Sequence, residues 1–136
     1  MDVKFPSPEW LQALHIKINS DEHYAKVAKN WEGDMFVVIE PSGPLHERII
    51  YYLDLWHGKC RKTEVLKDLS SVQAKFILTG TFENVSQIMK GTLNPMQAMM
   101  TGKLQVQGSM VYMMRNVPTV LDFVRCCQEI TSDILA

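Results

Sequence analysis

The chain has 136 residues, 46% of them hydrophobic and 21% charged, a composition typical of a globular domain that buries its own core. Its formal net charge of −1 argues against nucleic-acid binding through bulk positive charge, and no apolar stretch approaches the roughly 20 residues of a membrane span. Three cysteines, two of them adjacent, indicate a reduced, cytoplasmic chain rather than a disulfide scaffold. We therefore expect one domain over residues 1–136.

Two helices are predicted in the N-terminal region, over residues 7–30. Ser7 supplies a capping hydroxyl and Pro8 occupies the first helical position of the first helix. Its apolar residues follow helical spacing at Trp10, Leu11, Leu14 and Ile18. Ser20 or Asp21 caps a second helix that should run through Asn30. These helices precede a unit of sheet and helices over residues 31–136, and they offer a surface through which a homodimer could form.

Four strands separated by tight turns are predicted before residue 81. They are Met35–Glu40, Arg48–His57, Cys60–Leu66 and Ala74–Gly80. Alternation along the second strand places Tyr52, Asp54 and Trp56 on one face and Leu53 and Leu55 on the other. Asp54 is therefore either a functional carboxylate or a hydrogen-bonded residue at an outward position, and both interpretations stay open.

After Gly80 the hydrophobic period changes to that of a helix. Helices are predicted at Thr81–Lys90, Asn94–Thr101, Ser109–Arg115 and from Pro118 to Ile130. Strict polar and apolar alternation over Lys103–Gln107 predicts a fifth, half-buried strand among them. Strands joined by tight turns and followed by interleaved helices indicate an α+β fold with a largely antiparallel sheet.

The segment from Val85 to Leu121 contains seven of the nine methionines and no acidic residue, whereas Lys90, Lys103 and Arg115 give it a charge of +3. Methionine is unbranched and polarizable, so a wall built from it adapts to irregular apolar shapes. Such a segment suits a protein that holds a hydrophobic molecule and meets anionic surfaces. An ordinary packed core has the same composition, so both interpretations stay open.

Signatures of catalysis and metal binding are missing from the sequence. His46-Glu47 begins like a zinc-binding helix motif, but the second histidine that the metal requires is absent. His57 and Cys60 could meet across a turn, yet no acidic partner that would orient the histidine is apparent. We expect no catalytic residue, no metal and no cofactor, and therefore a non-enzymatic protein.

The segment from Phe76 to Ser109 carries several glycines, a proline and a lysine at fixed spacings. The strand Phe76–Gly80 is followed by a helix and then by the turn Gly91-Thr92-Leu93-Asn94-Pro95. A short helix through Ala98 leads to the strand Gly102-Lys103-Leu104-Gln105-Val106-Gln107-Gly108. This pattern resembles the sterol carrier protein type 2 family of lipid-binding domains. The sequence Trp31-Glu32-Gly33-Asp34 resembles small microbial members of the family, and the resemblance extends from Trp31 to Glu129.

The resemblance implies a five-stranded, mostly antiparallel sheet covered by helices, with an apolar tunnel between them for a sterol, fatty acid, acyl-CoA or phospholipid. The chain lacks the peroxisomal tail of eukaryotic sterol carriers, which favours a cytoplasmic microbial carrier of fatty acid, acyl-CoA or an isoprenoid quinone precursor. The residues expected to bind the ligand are Trp56, Phe76, Leu78, Phe82, Met89, Met96, Met100, Leu104, Met110, Met113 and Phe123. The alternative function is that of an accessory protein that presents such a quinone intermediate to partner enzymes. The basic residues of the Val85–Leu121 segment could meet an anionic headgroup, a membrane surface or a partner protein, but as solvated surface charges they need no such role.

Overall fold

The computed structural model describes residues 3–69 and 73–136, so five positions of the predicted domain, residues 1–2 and 70–72, lie outside the described residues. The strands are β1 (Val3–Phe5), β2 (Glu32–Glu40), β3 (Ile49–Trp56), β4 (Lys59–Leu66), β5 (Phe76–Thr81), β6 (Gln105–Gln107) and β7 (Thr131–Ile134). The helices are α1 (Pro8–Ser20), α2 (Glu22–Val27), α3 (Phe82–Met89), α4 (Pro95–Thr101), α5 (Met110–Arg115) and α6 (Val117–Ile130). Of the helices in the described parts, none has the length and apolar composition needed to cross a membrane.

The main sheet has five strands in the order β4-β3-β2-β5-β6. The β2–β5 pair is parallel and the other three pairs are antiparallel, which confirms the prediction of a mostly antiparallel, five-stranded sheet in an α+β fold. β4 lies at one edge, where the charged side chains of Arg61, Lys62 and Glu64 discourage pairing with another chain. β2 lies in the middle, and its sequence is apolar on both faces because both faces are covered.

The two faces of the sheet belong to separate apolar layers. On the inner face the side chains of Met35, Tyr51 and Leu53 join the large core that the helices cover. On the outer face a small cluster forms around Phe36 and Val38. Its other members are Ile50, Tyr52, Leu66, Leu69, Ala74 and Ile77. The alternation predicted along β3 is therefore confirmed, because adjacent residues of this strand enter different layers.

A two-stranded parallel sheet, formed by β1 and β7, was not predicted from the sequence. The backbone amide of Leu135 donates to the carbonyl of Phe5 at 2.9 Å, and the hydroxyl of Ser132 donates to the carbonyl of Val3 at 3.1 Å. Strands of three and four residues are too short to show a period-two pattern, and their pairing is visible only in three dimensions. The prediction for α2 was also too long, because α2 ends at Val27 rather than Asn30.

Gly108, between β6 and α5, occupies a backbone conformation and a position that exclude any side chain. Its φ angle is +123°, and a Cβ atom would lie 2.6 Å from Cδ1 of Phe76 and 2.7 Å from the carbonyl oxygen of Lys75. Gly102, at the end of α4, also has a positive φ angle of +80°, but a Cβ atom there would meet nothing within 4 Å. A side chain at Gly102 would therefore meet only the cost of the positive φ angle, whereas a side chain at Gly108 would also clash with its neighbours.

We expect Gly108→Ala to lower the free energy of unfolding by about 3 kcal/mol, because the methyl group collides with a backbone oxygen and the buried ring of Phe76. Gly102→Ala should cost only about 1 kcal/mol, the cost of a left-handed conformation for a residue with a side chain. Urea unfolding of both variants measures the difference. Equal losses would contradict the close approach at Gly108.

A network of ion pairs fastens the N-terminal helices to α6. The guanidinium group of Arg125 donates to Asp21 at 2.6 Å, to Asp122 at 2.7 Å and to Glu129 at 2.8 Å. Lys17 joins the same network through Glu129 at 2.8 Å and Asp21 at 3.2 Å. Asp21 also caps α2, so the network fixes both the start of this helix and its position against α6.

The carboxyl groups in this network are held in their charged forms. Hydrogen bonding to Arg125 lowers the pKa of Asp21 far below its ordinary value. Burial raises the pKa of Asp122, but hydrogen bonds from Arg125 and His23 outweigh burial and bring the pKa below the ordinary value. His23 approaches Asp122 with an Nδ1–Oδ1 distance of 2.8 Å. Both carboxyl groups therefore favour the folded state as long as they remain ionised.

Arg125→Met should lower the free energy of unfolding by about 2 kcal/mol at neutral pH, because buried Asp122 then keeps its charge with one partner fewer. Arg48→Met is the matched control, since Arg48 forms one exposed pair with Glu40 at 3.8 Å. Urea denaturation of both variants at neutral pH makes the comparison. If Arg48→Met lost as much free energy of unfolding as Arg125→Met, the network would contribute no more than a single exposed ion pair.

The same network predicts the acid sensitivity of the protein. The pKa values of Asp21 and Asp122 are lower in the folded than in the unfolded chain, so their stabilisation is complete above about pH 4 and is lost as the pH falls toward the folded values. We expect the wild type to lose stability steeply below about pH 4, and Arg125→Met to lose less over the same interval. Denaturation curves at a series of acidic pH values test this, and parallel losses in both proteins would contradict it.

Candidate functional site: an apolar cavity beneath the helices

A cavity of about 90 Å³ lies between the inner face of the main sheet and the helices, where the resemblance implied a tunnel. Its floor is formed by inward side chains of the central strands, namely Met35, Val37, Ile39, Tyr51, Leu53, Leu55 and Leu78. Its N-terminal wall consists of Phe5, Trp10, Leu14, Tyr24 and Trp31. The cover comes from the remaining helices and the chain before β6, namely Val85, Ile88, Met89, Pro95, Met99, Leu104, Met113, Thr119, Val120, Phe123, Val124 and Cys127.

Val37 shows why this space exists. It lies at the middle of the central strand and points toward the helices, yet it is only half-buried. Its neighbours Phe36 and Val38, which point to the outer face, are fully buried. The exposed surface of Val37 is therefore surface that faces the cavity, because the short helices above it do not fill the interior.

The polar atoms of the wall point away from the cavity, and four of them are held by hydrogen bonds. The indole nitrogen of Trp10 donates to the hydroxyl of Thr131 at 2.8 Å, and that of Trp31 donates to the carbonyl of Gly33 at 2.9 Å. The hydroxyl of Tyr51 donates to the carbonyl of Ser7, and that of Thr119 to the carbonyl of Val27, both at 2.8 Å. The lining is consequently apolar, so the site suits hydrocarbon rather than polar compounds.

Five of the eleven residues that were expected to bind a ligand lie in the wall of this cavity. They are Leu78, Met89, Leu104, Met113 and Phe123. They come from four different elements and from the segment before β6, so the fold brings together residues that the sequence separates. That they contact a ligand remains a prediction.

The other six expected residues lie outside the cavity wall. Phe76 is fully buried beside the rings of Trp31 and Tyr112, and Phe82 is stacked on Phe5 at a centroid distance of 6.3 Å. Both rings therefore belong to the packed core.

Trp56 lies on the outer face of the sheet, 38% exposed, beneath the guanidinium group of Arg61. Its position follows from β3, which alternates between faces at every residue and points Leu55 inward instead. Met96 and Met110 are half-buried outside the wall, and Met100 is 72% exposed. The side chains of Trp56 and Met100 therefore point away from the cavity, and a contact of either with a ligand stays a prediction.

Two pairs of adjacent methionines divide their side chains between the cavity and the surface. Met99 lines the cavity while Met100 is exposed, and Met113 lines the cavity while Met114 is 48% exposed. Neighbouring residues of a helix point about 100° apart, so a helix that turns one methionine inward presents the next one outward. At α4 and α5 the cover over the cavity is therefore a single helix thick.

Several cavity residues were missed from the sequence. The N-terminal residues Phe5, Trp10 and Tyr24 form one wall, and Leu53 and Leu55 form part of the floor. The alternation of β3 and the apolar face of α1 carried the signal for some of these residues. For Phe5, no local pattern could have indicated the position.

The side chains of Cys60, Cys126, His57 and Asp54 are either buried as thiols or bound to other side chains. Burial raises the pKa of the Cys60 thiol to about 12 and that of Cys126 to about 11, which keeps both protonated and weakly nucleophilic. His57 binds Glu32 rather than Cys60. Asp54 points outward and binds Arg61 with two hydrogen bonds of 3.1 Å, which supports the second of the two interpretations of this residue.

One group of oxygen and sulfur atoms in the described residues has a spacing suited to a metal ion. It consists of Asp21, Asp122 and Cys126. The guanidinium group of Arg125 already binds both carboxylates, and its hydrogen bonds to them are 2.6 to 3.1 Å long. A cation therefore has little to gain at this site, because the charge of the carboxylates is compensated by Arg125.

The fold is similar to several solved structures. A crystal structure of sterol carrier protein 2 has a TM-score of 0.82 and 26% identity, and the alignment covers 92% of this chain and 98% of that one. A solution structure of a Thermus thermophilus protein, described as possibly a sterol carrier protein, has a TM-score of 0.80 and 26% identity over 93% and 89% of the two chains. The palmitated SCP2L2 of Aedes aegypti shares the fold at a TM-score of 0.57 and 16% identity, over 85% and 94%.

No curated protein sequence matches this chain significantly. The profile of the SCP-2 sterol transfer family, in contrast, matches residues 11–120, which include the helices and strands that build most of the cavity wall. The chain therefore belongs to the SCP-2 sterol transfer family.

Proposed function

We propose that this protein binds and carries a hydrophobic ligand with an apolar chain, such as a fatty acid, acyl-CoA or phospholipid, without transforming it. The apolar cavity, whose wall turns its polar atoms outward, carries this proposal. Membership in a lipid-transfer family supports it. The three buried, free thiols suit a reducing compartment such as the cytoplasm.

The cavity must expand when it takes up a ligand. Its volume of about 90 Å³ is smaller than the roughly 300–1,000 Å³ of small-molecule sites. Met89, Met99 and Met113 lie in its cover, and methionine changes its shape at low energetic cost. Each methylene group removed from water contributes about 0.8 kcal/mol, so a long chain can offset the cost of moving these side chains.

The residues that we propose for binding are the five expected ones in the wall, together with the floor. Leu78, Met89, Leu104, Met113 and Phe123 would contact the apolar chain of the ligand. No single one of them is expected to dominate, because an apolar site without polar anchors distributes its binding energy over many contacts.

The first experiment is native mass spectrometry of the purified protein, followed by extraction and identification of any lipid that it holds. A stoichiometric fatty acid, phospholipid or quinone would support the proposal and name the ligand class. A protein that is empty and also fails to take up a fluorescent fatty acid would refute it.

Filling the cavity tests the location of the site. Val37→Phe places an extra ring in the cavity, so we expect the affinity for a fluorescent fatty acid to fall at least about tenfold. The melting temperature should stay unchanged or rise, because the ring replaces empty space. Val65→Phe is the control, since Val65 is 48% exposed on the edge strand β4. Normal binding by Val37→Phe would show that the ligand lies elsewhere.

A second candidate function is the presentation of a hydrophobic substrate, such as an isoprenoid quinone intermediate, to partner enzymes. The observation in its favour is the exposure of apolar side chains on the helices that cover the cavity: Met100 at 72%, Val111 at 61% and Met114 at 48%. Replacing these three residues by Ser should leave ligand binding intact in either case. Loss of a partner-dependent reaction, with retained binding, would favour presentation over solitary carriage.

A further inference from the structure

The cavity wall meets a groove on the protein surface at one residue, Met89. This residue lines the internal cavity and also lines a surface groove formed with Lys90 and β7. Among the described residues, no other side chain belongs to both spaces. A second groove, on the outer face of the sheet around Asp34 and Arg61, shares no described residue with the cavity wall. Met89 is therefore the described residue at which the cavity wall and this groove adjoin.

We propose that the apolar chain of the ligand passes Met89 into the cavity while its carboxylate or phosphate headgroup stays in the groove at Lys90. This proposal rests on the proposed carrier function and adds to it the access route of the chain and the position of the headgroup. Met89 acts as a movable gate, and Lys90 as the headgroup contact.

The headgroup has to stay outside because the cavity has nothing to offer it. The polar wall atoms of Trp10, Trp31, Tyr51 and Thr119 are committed to protein partners. A charged group moved into such a lining would lose its hydration and gain no hydrogen-bond partner in return. An amphiphile with its chain in the cavity must therefore place its head where the cavity meets the surface.

Within the groove, the ammonium group of Lys90 is the donor that remains free to bind a ligand. Lys90 is exposed and forms no ion pair with any described residue. The hydroxyl of Thr131 donates to the carbonyl of Cys127, and the hydroxyl of Ser132 donates to the carbonyl of Val3. Asp133 is the one acid among the described residues of the groove, and one of its carboxylate oxygens accepts from the amide of Ile134. Its charge opposes an anionic head, so its removal should strengthen binding.

Met89 has the properties required of a gate. It is half-buried at the last position of α3, and its unbranched side chain has three rotatable bonds. A change of rotamer can therefore join cavity and groove without unfolding the helix. Met96 is the matched control, because it is also a half-buried helical methionine but lines neither the cavity nor the groove. Truncation of either residue removes a half-buried methionine side chain, whereas only truncation of Met89 removes the barrier.

The gate is tested by stopped-flow kinetics with a fluorescent long-chain fatty acid. We expect Met89→Ala to raise both the association and the dissociation rate at least about fivefold, and Met96→Ala to change both rates less than about twofold. Equal melting temperatures of the two variants would exclude partial unfolding as the cause of the difference between them. Equal rate changes in the two variants would overturn the gate at Met89.

The headgroup contact is tested with the same fatty acid and its uncharged methyl ester. Lys90→Gln should weaken binding of the acid about fivefold and leave the ester unchanged, and the difference should shrink at high salt. Asp133→Asn should strengthen binding of the acid. Lys103→Gln, which removes another exposed lysine that pairs with no described acid, is the control and should change neither affinity. Equal effects of Lys90→Gln on acid and ester, or none on either, would overturn the headgroup contact.

Competition of dodecanoate and of dodecyl phosphate with the fluorescent fatty acid decides between a carboxylate and a phosphate headgroup. The compound that competes more strongly in the wild type should be the one that loses more affinity in Lys90→Gln. If the wild type binds the ester and the acid but Lys90 and Met89 variants behave like their controls, this inference fails and the carrier function stands. If the wild type binds neither probe, both fail together.

Discussion

The apolar inner face of the sheet has to be shielded from water, and the chain shields it with short helices that span the face rather than fill the space above it. α4 has seven residues and α5 has six, so each presents only one or two side chains downward. Val37 consequently remains half-buried at the centre of the sheet. Such space is by itself a loss of dispersion energy. Under the carrier function that we propose, the same incomplete covering supplies the volume for an apolar chain.

Polar groups are kept at the perimeter of the interior, where fixed partners hold them. The rings of Trp10, Trp31 and Tyr51 line the cavity. The polar atom of each side chain points away from the cavity and donates a hydrogen bond to a backbone carbonyl or a hydroxyl group. The ion pairs of Arg125, which hold the N-terminal helices against α6, involve no residue of the cavity wall. The interior can therefore remain dry and adaptable, while the surrounding framework is held by directional bonds.

The sequence predicts the sheet and the helices well, because their signals are local. The alternation of Leu53 and Asp54 in β3, the proline at the start of α4 and the glycine after it are visible in short windows of the chain. The family pattern from Phe76 to Ser109 adds the strand pairing that local patterns lack. The composition of the cavity wall could be predicted only in part. Met99 and Met100 have the same chemistry, and the rotation of α4 about its axis, which depends on packing against distant elements, decides which of them faces inward. An apolar core and an apolar binding site also require the same residue types, so no pattern distinguishes them.

The pairing of β1 with β7 has a consequence for the synthesis of the protein. β1 is made before β7, which follows after more than a hundred further residues. Until residues 131–134 have left the ribosome, Phe5 has no strand to hold it and the wall to which it belongs stays open. Every other described strand is already made by then, so the nascent chain carries an apolar surface that β7 closes.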